Sequence, residues 1–335
     1  MRVLLVGERY PDSFADNLTV ALRDAGHEVS SVSPFRGPLA GSGRLRARLK
    51  AELPSMPRAA LRAQAHVLEA ADERQPELVL NVDFRLSWRI VRQLSERGLV
   101  CAFWFPDSMG NLGRETHVLG HYDAVFLKDS AVVRQYREIL GLNAHFLPEA
   151  CNPRWHRPPD GVTPGDAGSS VLVAGNMYAT RFALLRRLQS AGVPVAVYGP
   201  PWPRWLPEDT ALKAAYTGTY LAREEKARAF RGAVVVLNAM ASHEADGANC
   251  RLFEAAGCGA VVLTDWRERL PTFFDIPREV RAFRSFADII REVRAITDLA
   301  PEERRMLGDA AAARAHAEHS YARRFENLMC ELGRG

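Results

Sequence analysis

The sequence predicts an α/β protein of two tandem units, each an open parallel sheet with helices on both faces. Three observations carry that expectation. Short apolar runs alternate with helix-length amphipathic stretches along the chain, and strands apolar on both faces and separated by helices belong to parallel sheets. The alternation stops once, over the Pro- and Gly-rich stretch 151–170, and then resumes, as at a linker or long surface loop. The length of 335 residues suits two domains of about 150 residues each.

In the first half, residues 3–6 read as a buried strand, 13–26 as a helix closing at Gly26, and 27–32 as a second strand. Further strands are expected at 78–82, 99–105, 124–127 and 144–147, with helices at 88–97 and 131–140. After the linker come strand 171–174, helix 181–191, strand 195–198, helix 222–231, strand 234–237, helix 252–256 and strand 260–264. Two helices, 301–319 and 321–332, close the chain. Ligands of such sheets bind beyond the carboxyl ends of the strands, so a cleft between the units is the expected site.

Composition narrows the class. Hydrophobic residues make up 47% and charged residues 25%, which excludes a disordered chain or a small disulfide scaffold. No apolar run reaches the ~18 residues of a membrane span, and the opening MRVLLVGERYPDSF is too short in apolar residues for a secretory signal. Cys101, Cys151, Cys250, Cys258 and Cys330 are odd in number and scattered. They read as reduced thiols of a cytoplasmic protein. The net charge is +4, with lysine only at 50, 128, 213 and 226. The many arginines alternate with acids along the chain, which fits a GC-rich coding bias better than a nucleic-acid surface. Residues 36–66 break that balance, with Arg36, Arg44, Arg46, Arg48, Lys50, Arg58 and Arg62 against Glu52. They form either a solvated face or a surface for an anionic acceptor, membrane or nucleic-acid backbone.

Absent signatures exclude several chemistries. Gly7 is followed by Glu8-Arg9-Tyr10 and not by the glycine pattern of a dinucleotide site; GxxxxGK[ST], GxSxG and Asp-x-Asp are missing too. His316 and His319 lack a third partner for a metal. No metal site is expected.

The informative stretch is VVVLNAMASHEADGANCRLFEAAGCGAVVLTD, residues 234–265. A buried strand ends at Asn238, a polar loop with His243, Glu244 and Asp246 follows, and a helix begins near Asn249, a suitable N-cap. The first-turn amides suit a diphosphate. Arg251 sits in that turn against the helix dipole, a local conflict of the kind functional sites tolerate. The alternative is a surface pair between Arg251 and Glu254.

The segment NxRxFEAAGCGAVVLTD resembles the signature of the spore maturation protein CgeB-like glycosyltransferases, relatives of the group-1 glycosyltransferases with the GT-B fold. The resemblance extends to LRDAGHEV (22–29), residues 122–153, VLVAGNMYATRFALLRRL (171–188), VAVYGPPW (195–202) and the EHSYARRFENLM ending, and is weakest over 36–76. It implies two Rossmann-like domains facing each other across a cleft: an acceptor-binding domain over 1–157 and a nucleotide-sugar donor-binding domain over 168–310. Helices of 311–335 would cross back to the first. Glu254 then corresponds to the second acid of a Glu-x7-Glu motif, which holds the ribose hydroxyls. Asp246 stands where the first, sugar-facing glutamate is expected, one methylene short. Arg251 and Asn249 would face the donor diphosphate. Gly175, Asn176 and Tyr178, Tyr198 and Gly199, and Asn238 would line the donor pocket, with Arg181 a further phosphate ligand.

The reaction implied is transfer of a sugar from a nucleotide-diphosphate donor, UDP foremost, to an acceptor the sequence does not identify. A helix amino terminus and Arg251 would stabilise the leaving group without a metal or any other cofactor. Loops after Gly7 and Asp83 and the turn 104–108 would serve the acceptor. Asp107 is the candidate general base of an inverting reaction, or else a turn or cap residue, and His243 is the second candidate. The alternatives are a sugar-nucleotide epimerase or hydrolase on the same fold and a non-catalytic sugar-nucleotide or glycan binder.

Overall fold

The computed structural model describes residues 1–334 apart from 42, 109, 111–114, 169–170, 241–243 and 245. The chain divides into two compact units, Met1–Glu149 with Tyr321–Gly335, and Ala150–Ser320. The divisions fall at 149/150 and 320/321 where the sequence suggests 157 and 310. Cys151 pairs with Ser320 in an isolated bridge, and its amide bonds the His319 carbonyl at 2.9 Å. Those contacts bind 150–157 and the stretch up to 320 to the second unit.

The first unit is built on a six-stranded sheet of β1 (Arg2–Val6), β2 (Glu28–Val32), β3 (Leu78–Asn81), β4 (Cys101–Phe105), β5 (Ala124–Leu127) and β6 (Ala144–Phe146). Its order is β2-β1-β3-β4-β5-β6, with every pairing parallel. All five residues of β4 are buried, as a sheet covered on both faces requires. The helices are α1 (Phe14–Asp24), α2 (Arg44–Glu52), α3 (Pro57–Ala63), α4 (Ala65–Arg74), α5 (Trp88–Glu96) and α6 (Ser130–Glu138). Ser13, Ser87 and Asp129 cap α1, α5 and α6 through their side chains, each accepting from a first-turn amide. The segment 36–66 is therefore mostly helical, and not an open loop.

The second unit carries a five-stranded parallel sheet of β7 (Val171–Ala174), β8 (Val195–Tyr198), β9 (Val235–Asn238), β10 (Val262–Asp265) and β11 (Arg281–Phe283), ordered β11-β10-β9-β7-β8. Its helices are α7 (Ala179–Ser190), α8 (Thr210–Ala214), α9 (Arg223–Gly232), α10 (Cys250–Gly257), α11 (Leu270–Phe273), α12 (Phe286–Asp298) and α13 (Pro301–Glu318). Phe182, Leu185 and Leu188 of α7 share one core with Ile289, Val293 and Ile296 of α12, so both lie on the same face of the sheet. The last helix, α14 (Tyr321–Glu331), belongs to the first unit. Tyr321 meets Phe14 edge-on with ring centroids 5.6 Å apart.

The chain turns from β7 to β8 on one side and reaches β9 on the other. The loops after β7 and β9 thus flank the switch point of the second sheet, where a crevice opens in such folds. In the first sheet the same place lies between β1 and β3.

Candidate functional site

At the switch point of the second sheet, Gly175 follows the last residue of β7 and Asn238 ends β9. Gly175 has φ +109, a conformation side-chain-bearing residues avoid, and a Cβ there would collide with Arg251 Nη2 and lie 3.5 Å from Arg181 Nη1. Two guanidinium groups therefore converge on one glycine. Its neighbour Gly199 is equally constrained, because a Cβ would stand 2.6 Å from the Gly175 carbonyl oxygen. The Gly175 amide in turn bonds the Tyr198 carbonyl at 2.9 Å.

Arg251 lies in the first turn of α10, and its Nη1 donates to Asn238 Oδ1 at 3.2 Å. Asn238 is fully buried and donates from Nδ2 to Thr264 Oγ1 at 3.1 Å. It holds Arg251 in place and offers nothing to solvent. Asn249 caps α10, accepting from the Leu252 amide at 3.2 Å, and the remaining first-turn amides sit beside Arg251. Arg181 is buried at 5% exposure. It bonds the carbonyls of Asn176, closely, and Ala239, at 3.2 Å, and lies over the Tyr178 ring at 5.3 Å.

Among the described residues neither Arg181 nor Arg251 has a carboxylate within ion-pair distance. Burial, and then the charge of Arg251, push the Arg181 guanidinium down to about 9. Two like charges held together, one buried and one half-buried, are unfavourable by themselves. Such a pair suits an anion with room for two forks, such as a diphosphate.

Glu254 is bonded by Lys226 of α9 at 3.0 Å, both side chains being buried. It is not paired with Arg251, so the surface-pair alternative does not describe this helix. His156 accepts the Asn152 amide on Nδ1 at 3.0 Å, which places its proton on Nε2, 3.9 Å from Glu254 Oε1. Asp246 faces Arg269 at 3.4 Å. Asp265, at the end of β10, accepts the Met240 amide at 2.9 Å and lies 3.5 Å from Arg267.

In the first unit, Gly7 is buried, with its amide on the Val32 carbonyl at 3.0 Å. An added Cβ would meet Val82 Cγ2 at 2.6 Å, so close strand packing explains this glycine. Asp83 is held by Arg85 through bonds of 2.7 and 2.5 Å. Arg85 also reaches Glu8 at 2.8 Å, and Lys50 bonds Glu8 closely. Burial opposes the Glu8 charge, yet the Lys50 and Arg85 contacts outweigh it and lower its pKa. Asp107 is exposed just beyond β4 and accepts the Ser108 amide at 2.7 Å. His243 lies outside the described residues.

Gly175, Asn176, Tyr178, Arg181, Tyr198, Gly199, Asn238, Asn249 and Arg251 thus gather on the loops around one switch point, while Gly7, Asp83 and Asp107 lie in the first unit. Sequence reasoning missed Lys226, Glu8, Arg85 and Asp265. Lys226 carried a usable signal, being one of four lysines in an arginine-rich chain.

Comparison with known proteins bears on the fold. Residues 181–330 match the family model described as glycosyl transferase-like. A comparison with curated proteins gives no match. Among solved structures, the chain is similar to the sucrose-phosphate synthase of Thermosynechococcus elongatus, at 14% identity and TM-score 0.68, over 99% of both chains. It is similar to Anabaena HepE in complex with UDP-glucose, at 11% identity and TM-score 0.64, over 99% of both. A Burkholderia multivorans trehalose 6-phosphate synthase shares 15% identity with TM-score 0.62, over 99% of this chain and 98% of that one. The shared fold is GT-B.

Proposed function

We propose that this nucleotide-sugar glycosyltransferase, a GT-B relative of the group-1 enzymes, takes its sugar from a UDP-linked donor and releases UDP without a metal ion. The convergence of Arg181 and Arg251 on Gly175 carries the reading. When the bond between the anomeric carbon and the phosphate oxygen breaks, negative charge grows on the departing diphosphate. Two preorganised guanidinium groups and the first-turn amides of α10 stabilise that charge more in the transition state than before it. UDP is supported by the neighbour solved with UDP-glucose. A CgeB-like subtype is supported by the run 249–265.

Within this reading Glu254, gripped by Lys226, serves the ribose hydroxyls, and Asp246 the donor sugar. Asp107 is the general base of an inverting reaction, and retention requires no such residue. Arg251→Ala is expected to lower transfer at least a hundredfold with the thermal unfolding midpoint unchanged within a few degrees. The measurement is UDP release from a panel of UDP- and TDP-sugars with small-molecule extract as acceptor. Turnover equal to the parent protein would overturn the reading. A second reading, a sugar-nucleotide binder without transfer, is favoured only by the shortened Asp246 and its contact with Arg269. It predicts UDP binding with no UDP release from any donor.

A further inference from the structure

A cavity of 470 Å³ opens between the amino-terminal turns of α7 and α12. Its lining includes Arg181, Arg187, Arg267 and Arg284 against a single carboxylate, Asp265. Of the donor residues named above it shares Tyr178 and Arg181 only; Gly175, Asn238, Arg251 and Glu254 are not part of it. The volume is that of a small-molecule site.

The charges in it are placed by the fold. Arg284 is fixed over the Trp266 ring at 4.1 Å and Arg187 over the Phe286 ring at 3.8 Å, so both are held on the rim by stacking and not by carboxylates. The Nε atoms of Arg181 and Arg267 are buried with no partner. Asp265 already receives the Met240 amide and pairs with Arg267 at 3.5 Å, and the charge of Glu244 also reaches Arg181; among the described residues Arg187 and Arg284 have no carboxylate within ion-pair distance. The amino terminus of α12 is closed by its own capping box, Ser285 Oγ accepting the Asp288 amide at 3.1 Å and Asp288 accepting the amides of Arg284 and Ser285, so the arginine side chains alone are left to meet a ligand. Buried arginine donors without partners call for an acceptor, and a fork-shaped donor set selects an oxyanion.

We propose that this cavity binds a small molecule carrying a phosphate or comparable oxyanion, separately from the donor diphosphate. The guanidinium groups of Arg267 and Arg284 grip the oxyanion, and Asp265 faces any hydroxyl group the ligand carries beside it. Such a ligand is an anionic acceptor or an anionic effector, and the site's chemistry is the same for both.

The test is a calorimetric titration of inorganic phosphate into the intact protein at low ionic strength, with and without saturating UDP. Phosphate binding should persist in the presence of UDP and weaken at least tenfold in Arg284→Gln, while UDP affinity stays within twofold. Loss of phosphate binding when UDP is present, or undiminished binding by Arg284→Gln, would overturn the proposal. If the parent protein does not bind UDP, the donor reading fails by itself, and the comparison of Arg284→Gln with the parent still decides the cavity. Glucose 6-phosphate in place of phosphate separates the two sources: an acceptor is consumed during UDP release, whereas an effector changes the rate and is recovered.

Discussion

Single side chains in this protein are fixed by partners that spacing along the chain does not disclose. His117 is 2% exposed, stacked on Phe103 with centroids 4.8 Å apart. Its Nε2 lies 3.1 Å from Tyr136 Oη, which donates to Glu115 at 2.9 Å. Tyr136 therefore accepts from His117, and the imidazole is neutral with its proton on Nε2. Burial pushes it down to about 4, against about 6.5 in the unfolded chain. Above 6.5 both states are neutral. As the pH falls below that, the unfolded state takes up a proton the native state refuses, so stability drops until about pH 4. The protein should be about 2 kcal/mol less stable at pH 5 than at pH 7 from this residue alone. Urea midpoints at the two pH values check it: His117→Gln should flatten the slope, and equal slopes in parent and variant would refute the neutral imidazole. Asn249 as a cap and the crowded Arg251 were legible because capping and dipole rules act within one turn. Arg251's bond to Asn238 was not, since the two are joined only by the parallel register of β9 beside α10.

Elements were legible where burial is uniform. The runs at β3 and β5 are buried throughout, so the apolar sequence and the strand coincide. At β4 the apolar run begins at residue 99 but the strand at Cys101, because Gly98 with φ +77 turns the chain and Leu99 and Val100 complete that turn. Helix α12 went unassigned even though Ser285 and Asp288 form a capping box and Phe286, Ile289, Val293 and Ile296 recur at helical spacing, a signal that was there to be read. The pairing of α9 with α10 depends on Lys226 and Glu254, 28 residues apart, a separation no local pattern spans. Lys226→Met leaves a buried carboxylate without its cation and should cost about 3–5 kcal/mol. Adding Glu254→Gln should recover most of the loss, read from urea midpoints. A variant as stable as the parent would mean that α9 and α10 are held by packing alone.

For the whole molecule, the two-unit plan followed from the break at 151–170, while the return of the chain to the first unit, which the family resemblance implied for 311–335, begins at Tyr321. Helix α13 packs on α10 and α14 on α1, which assigns them to different units. Every residue proposed above for the donor falls within Ala150–Ser320, which is continuous in sequence. A protein of residues 150–320 should therefore fold and bind UDP within about tenfold of the full chain, by calorimetry, with no transfer. A folded fragment without UDP affinity would show that the nucleotide needs the other unit.

The interior placement of lysine reaches beyond the binding site. Lys50, Lys128 and Lys226 are each less than 8% exposed, and Lys213 alone of the four has an open side chain. With arginine supplying nearly all positive surface charge, Lys213 is the one lysine side chain the native protein offers acylating reagents. Peptide mass spectrometry should find an amine-reactive dye on Lys213 in the folded protein, and on Lys50, Lys128 and Lys226 once the chain is unfolded. Covalent tagging thereby becomes a count of how many molecules have opened.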